Sequence, residues 1–149
     1  MARAQKSNQI ATVERQLAER FEMWGSLGAD LDKCPVRQVL DKLGDKWTVL
    51  ILLAMCGRVV RFSQFQKSIP DISKRMLAQS LRQLERDGLI SRKVFATVPV
   101  RVEYKLTPLG QSFMTPVLGI LQWVEQAQLQ IVANRAHYDR DQGTSDEAV

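Results

Sequence analysis

Across Gly88 the chain passes from helical spacing to strand composition, and what flanks that glycine leaves few folds open. Upstream, Arg61–Ile69 carries Phe62, Phe65 and Ile69 one helical turn apart, which predicts a short helix. Pro70, Asp71 and Ile72 make a turn, and Ser73 is placed to cap a second helix over Lys74–Asp87. Ile72 precedes that cap and Leu77 follows it with the spacing of a hydrophobic staple. Gly88 suits the left-handed position past the helix end, with Leu89 able to pack back on Leu84. Downstream, Leu89–Val98 and Val100–Leu106 are rich in Val, Ile, Phe, Tyr and Thr, and Ala96–Arg101, which contains Pro99, reads as the tip of a hairpin. A short helix, a tight turn and a capped second helix form a helix-turn-helix signature, and a hairpin directly after it makes a wing.

The rest of the chain frames this unit. Ile10, Val13, Leu17, Phe21 and Trp24 line one face of an amphipathic helix that Gly25-Ser-Leu-Gly28 should end, and residues 1–9 are polar and expected to fray. A helix should start at Cys34-Pro35, since proline suits the first helical position, and stop at Gly44. Asp45 then caps a helix over Lys46–Met55 that is apolar nearly all round, the expected centre of the core. Thr107-Pro108 reopens a helix bearing Phe113, Val117, Ile120, Leu121, Val124 and Leu129, which Pro116 should kink or split. The expected fold class is α+β, mostly helical: a winged helix-turn-helix domain over residues 34–106. Residues 1–33 form an N-terminal extension with one amphipathic helix, 107–136 a C-terminal dimerisation helix, and 137–149 a disordered tail.

At 149 residues, 45% apolar and 25% charged, this is about one globular domain. The longest unbroken apolar run, Val49–Cys56, is far below the roughly 20 residues that span a bilayer, and the N-terminus lacks a secretory pattern. Two cysteines make no disulfide scaffold and, with a single histidine, no zinc site. The expectation is a cytoplasmic protein with no membrane partner, no metal and no cofactor. No Ser-His-Asp set, Gly-rich phosphate loop or paired-carboxylate motif is visible, which argues against an enzyme.

Charge points to the partner. Residues 57–101 hold 10 basic and 3 acidic groups, while the flanking stretches are nearly balanced or acidic. A block of net charge +7 is an electrostatic footprint for a polyanion, nucleic acid first among them. In the capped helix Met76, Leu77, Leu81 and Leu84 should face the core, leaving Lys74, Arg75, Gln79, Arg82, Gln83 and Arg86 outside. Arg and Gln make paired hydrogen bonds to guanine and adenine edges, and the N-terminal end of such a helix enters the major groove first. The wing adds Arg92, Lys93 and Arg101. The blander alternative is a solvated helix face beside a core hairpin.

These segments carry a resemblance. Cys34-Pro-Val-Arg-Gln-Val-Leu-Asp-Lys-Leu-Gly-Asp-Lys-Trp47 resembles the opening of HxlR-type regulators. So do Arg61-Phe-Ser-Gln-Phe65, Pro70-Asp-Ile-Ser-Lys-Arg-Met-Leu77, Leu84-Glu-Arg-Asp-Gly-Leu-Ile90 and Val98-Pro-Val-Arg-Val-Glu-Tyr-Lys-Leu-Thr-Pro-Leu-Gly110. The resemblance covers residues 34–125 and leaves 1–33 and 134–149 unexplained. It implies a bacterial, MarR-related winged-helix homodimer on a palindromic operator in double-stranded DNA. It also implies a sensing cysteine at Cys34, since some members detect electrophiles, quinones or oxidants through a cysteine in that position.

Read by themselves, the single residues leave some choices open. Cys34 stands at a predicted helix start beside Lys33 and Arg37, a setting that favours thiolate chemistry, or else it is a passive cap. Cys56 follows an apolar helix and is expected to be buried. Trp47 and Tyr104 are expected to be core residues, although Trp47 could instead border a ligand pocket, and Trp24 and Trp123 are expected to meet a twin subunit. The candidate DNA contacts are Ser73, Lys74, Arg75, Gln79, Arg82, Arg92, Lys93 and Arg101, with Cys34 as the redox-sensing residue. The alternatives are a regulator controlled by a small electrophile, oxidant or aromatic ligand at a dimer interface, and a protein-interaction winged helix that never touches DNA.

Overall fold

The computed structural model describes residues 2–26 and 34–146 and divides the chain into two compact units, residues 1–45 and 46–149. Leu27, Gly28 and Lys33, each invoked above, lie outside the described residues.

In the first unit, α1 spans Ala2–Ser26 and α2 spans Pro35–Gly44. The fraying expected for residues 1–9 is corrected, because the helix already runs from Ala2. Ala, Arg, Gln and Lys are strong helix formers, so this polar stretch propagates a helix without an apolar stripe of its own. The apolar face of α1 lies open, with Phe21 76% exposed and Ile10, Val13 and Leu17 each more than half exposed. Pro35 occupies the first turn of α2 with Cys34 as its N-cap.

The second unit holds the core. Helix α3 (Lys46–Ala54) sends Thr48, Ile51 and Leu52 fully inward, with Met55 just beyond its end. Helix α4 (Phe62–Ser68) adds Phe65, and its first turn is tied by the Arg61 backbone N–H donating to Gln64 Oε1 at 2.7 Å. Helix α5 (Lys74–Arg86) closes over them with Leu77, Leu81 and Leu84. Ile69 and Ile72, on either side of the turn, are buried too, so the staple inferred from spacing is formed.

Strands β1 (Ile90–Phe95) and β2 (Arg101–Leu106) pair antiparallel, Ile90 opposite Leu106 and Phe95 opposite Arg101. Val60 adds a bridge to β2: its N–H and C=O both bond Tyr104 at 2.8 Å. That long-range pair anchors the hairpin to the α3–α4 connection, and the Tyr104 ring meets Phe65 edge-on at 6.0 Å. Tyr104 is buried as expected, and Trp47 is half-buried against the core.

Helix α6 (Pro108–Asp146) opens on Thr107, whose hydroxyl accepts from the Gly110 N–H at 3.1 Å and donates to the Gly88 carbonyl. Phe113, Met114 and Val117 hold its first turns against the core. Two expectations need correcting. Pro116 does not split the helix, since it sits on the exposed side where water can satisfy the carbonyl it leaves unpaired. The polar stretch after Ala136 is helical through Asp146, because a helix already nucleated extends at little cost. The contact of His137 Nδ1 with the Asp141 carboxylate at 2.9 Å, one turn apart, supports that extension.

Candidate nucleic-acid interface

The outer face of α5 is set by how its ends are fixed. Ser73 Oγ accepts from the Met76 N–H at 3.1 Å, satisfying a donor that the first turn leaves open. At the other end Gly88 takes φ +74°, Leu89 N–H bonds the Leu84 carbonyl and Gly88 N–H bonds the Glu85 carbonyl, each at 3.0 Å. This Schellman closure stops the helix and aims the chain into β1. With Leu77, Leu81 and Leu84 inside, the 3.6-residue period turns Lys74, Arg75, Gln79 and Arg82 outward, and all four are exposed.

One expectation for this helix is corrected. Met76, expected in the core, is 38% exposed, and Ser80 is buried in its place. The small Ser80 side chain lets α5 approach its neighbours, a requirement invisible in an apolar count. Met76 thereby joins the outer surface beside Arg75.

The wing residues separate by strand alternation. Arg92 lies opposite Tyr104, on the face turned toward α5, whereas Lys93 and Arg101 lie on the other face. There two cations approach the Phe95 ring: the Arg101 guanidinium at 4.1 Å and Lys93 Nζ at 5.0 Å. Arg101 also pairs with Glu103 at 3.3 Å, and Arg61 reaches the same carboxylate at 3.8 Å. Arg61, by sequence only the start of a short helix, thus belongs to the wing's charge cluster. Its link to β2 runs through the Val60 bridge, so no local pattern discloses it.

The cysteines exchange expectations. Cys34 is half-buried at the N-cap of α2, where its side chain makes no capping hydrogen bond. Cys56, expected in the core, is exposed, its Sγ placed 3.6 Å from the Leu52 carbonyl. The helix ends at Ala54, and the turn that follows puts Met55 rather than Cys56 into the core. Among the described residues no cluster of three or more His, Cys, Asp or Glu is placed to hold a metal ion, and no helix is long and apolar enough to cross a membrane.

A capped helix behind a turn, followed by a hairpin anchored on the same core, defines a winged helix-turn-helix protein of the transcriptional-regulator class. The chain belongs to the HxlR-like helix-turn-helix family, whose model matches residues 42–131. It is 40% identical over 104 residues to the HTH-type transcriptional regulator YtfH of Escherichia coli, covering 70% of this chain and 82% of that one. The solved structure of ytfH from Salmonella typhimurium superposes with a TM-score of 0.65 at 38% identity, over 73% of this chain and 97% of that chain. The redox regulator HypR in its oxidized form superposes with a TM-score of 0.58 at 40% identity, over 62% and 96%. The family and these relatives are regulators of transcription rather than enzymes.

Proposed function

We propose that this regulator acts as a homodimer in the cytoplasm and binds a palindromic site in double-stranded DNA. The observation that carries the reading is the outer face of α5, where Lys74, Arg75, Gln79 and Arg82 stand exposed on a helix fixed at both ends. Side chains that form paired hydrogen bonds with base edges are there presented on a rigid element. Lys93 and Arg101 on the hairpin supply cations for the phosphate backbone, and Ser73, held as a cap, keeps a hydroxyl proton to donate to a phosphate. Exposed apolar residues on α1 and α6 support assembly of two copies. The two-fold symmetry of such a dimer calls for two half-sites about one helical turn, or roughly 34–36 Å, apart.

The test is a gel shift over a salt series with fragments of the source genome. Specific retention that weakens steeply with salt supports the reading. Retention of no fragment at low salt refutes it and leaves the protein-interaction winged helix.

Cys34 is the proposed switch. Its thiol is free of capping duty at a helix start, and the likeness to HypR, a redox regulator, supports a redox role. Oxidation or alkylation there adds bulk or charge at the start of α2, and a small shift between subunits suffices to mismatch successive grooves. Cys34→Ser should hold DNA in diamide or a quinone under conditions where the wild type releases it. Release by the variant equal to that of the wild type removes Cys34 from the mechanism. Since Cys56 is exposed, Cys56→Ser belongs beside it as a control.

A further inference from the structure

A cleft of about 420 Å³ opens between α5 and the inner face of the hairpin. Its floor is apolar: Phe62 from α4, Ala78 and Leu81 from α5, and the Tyr104 ring from β2. Its rim is charged, with Arg82 and Glu85 on α5 and Arg92 on β1. Among the described residues neither arginine forms an ion pair, and the Tyr104 side chain, only 8% exposed, lines the cleft. Strand alternation, which separates Arg92 from the other wing cations, is what brings it over this cleft.

We propose that this cleft is a binding site for a small organic monoanion with a planar apolar body. Two arginines against one glutamate leave the rim one positive charge in excess, which a single carboxylate neutralises. Guanidinium groups from two different elements can grip that carboxylate with charge-assisted hydrogen bonds. The Tyr104 hydroxyl, in the cleft lining, can donate a further one. The volume lies in the range of small-molecule sites, and an apolar floor with a few convergent polar groups is the usual make-up of such sites. A bare phosphate would fill a small part of it and leave the accessible parts of Phe62 and Ala78 uncovered. Since α5 and the hairpin are the two elements of the proposed DNA interface, the bound acid and DNA compete for Arg82 and Arg92. That competition rests on the DNA-binding reading; the binding itself does not.

The full-length protein is titrated with benzoate, benzamide and inorganic phosphate and followed by amide correlation spectra. Benzoate should saturate with shifts centred on Ala78, Leu81, Arg92 and Tyr104, about tenfold tighter than either benzamide, which lacks the charge, or phosphate, which lacks the apolar body. Arg92→Gln should weaken benzoate about tenfold and leave benzamide unchanged, while Ala78→Leu, which fills the floor and keeps every charge, should abolish saturation by both. Equal affinity for phosphate and benzoate overturns the proposal in favour of a simple anion seat, and saturation surviving Ala78→Leu places the ligand elsewhere. In a second arm, saturating benzoate should lower retention of an operator fragment. Unchanged retention, with the spectral titration intact, overturns the competition and leaves the site standing.

Discussion

Ser73 and Arg75 are separated by one residue, yet different physics governs them. Ser73 accepts a backbone hydrogen bond at 3.1 Å that no neighbour replaces. Ser73→Ala should therefore cost about 1 kcal/mol of stability, read as a lower denaturant midpoint, and Ser73→Asp should restore most of it. Arg75 and Gln79 hold up nothing inside the fold. Arg75→Ala or Gln79→Ala should leave the unfolding midpoint unchanged and cost about 1–3 kcal/mol of affinity for the specific site alone. Lys93→Ala should weaken every sequence alike and reduce the salt slope by about one, a pattern measured by repeating the gel shift with unrelated DNA. Loss of discrimination in Lys93→Ala with none in Arg75→Ala would reverse the assignment of the reading element.

At the scale of elements, the joint between hairpin and α6 holds Gly110, where, unlike at Gly44, Gly57, Gly88 and Gly119, an added side chain would meet other atoms. A Cβ built on Gly110 falls onto the Leu89 carbonyl oxygen, and it also crowds the Leu106 side chain. The first turn of α6 thus lies directly on the connection where α5 ends and β1 begins. Leu89 cannot yield freely, because its carbonyl accepts the Thr107 N–H at 3.1 Å and its own N–H closes α5. Gly110→Ala should destabilise by about 1–3 kcal/mol, the usual cost of overpacking, despite the higher helix propensity of alanine. Gly119→Ala, with open space around the added methyl, is the control and should be neutral or slightly stabilising. If the two variants unfold at the same denaturant concentration, the contact at Gly110 is slack.

For the whole molecule the salient fact is the length of helix left uncovered. At 39 residues α6 extends about 58 Å, and only its first turns pack on the core. Beyond Val117 it exposes Leu118, Ile120, Trp123, Val124, Leu129 and Val132. So much exposed apolar surface on one helix is unusual on a monomer and is what a helical subunit interface requires. Sedimentation at micromolar concentration should give a dimer, and Trp123→Asp, at a residue 61% exposed, should shift it toward a folded monomer. A wild type that sediments as a folded monomer would sink the homodimer, and the spacing of half-sites with it. Truncation is the harsher test: ending the chain after Gln111 removes Phe113 and Met114, which pack on the core, and the buried Val117, and should give aggregate.

The sequence by itself determined what depends on neighbours along the chain. The Ser73 cap, the Ile72–Leu77 staple, the glycine exit at Gly88, the proline starts of α2 and α6 and the hairpin were all legible, because each is a contact within a few residues with a steric or hydrogen-bonding rule behind it. The outward face of α5 followed from the helical period, except at Met76 and Ser80, where the volume of neighbouring elements decides. Only the tertiary structure settled what distant segments do to one another. The Val60–Tyr104 bridge draws Arg61 into the wing. A turn ending at Gly57 puts Met55 inward and leaves Cys56 out. The facing of Arg92 toward α5 depends on hairpin register, which a shift of one residue would reverse. The length of α6 was misjudged for a related reason: polar composition identifies what will not be buried, but a helix anchored at one end by a packed core can continue through residues that bury nothing.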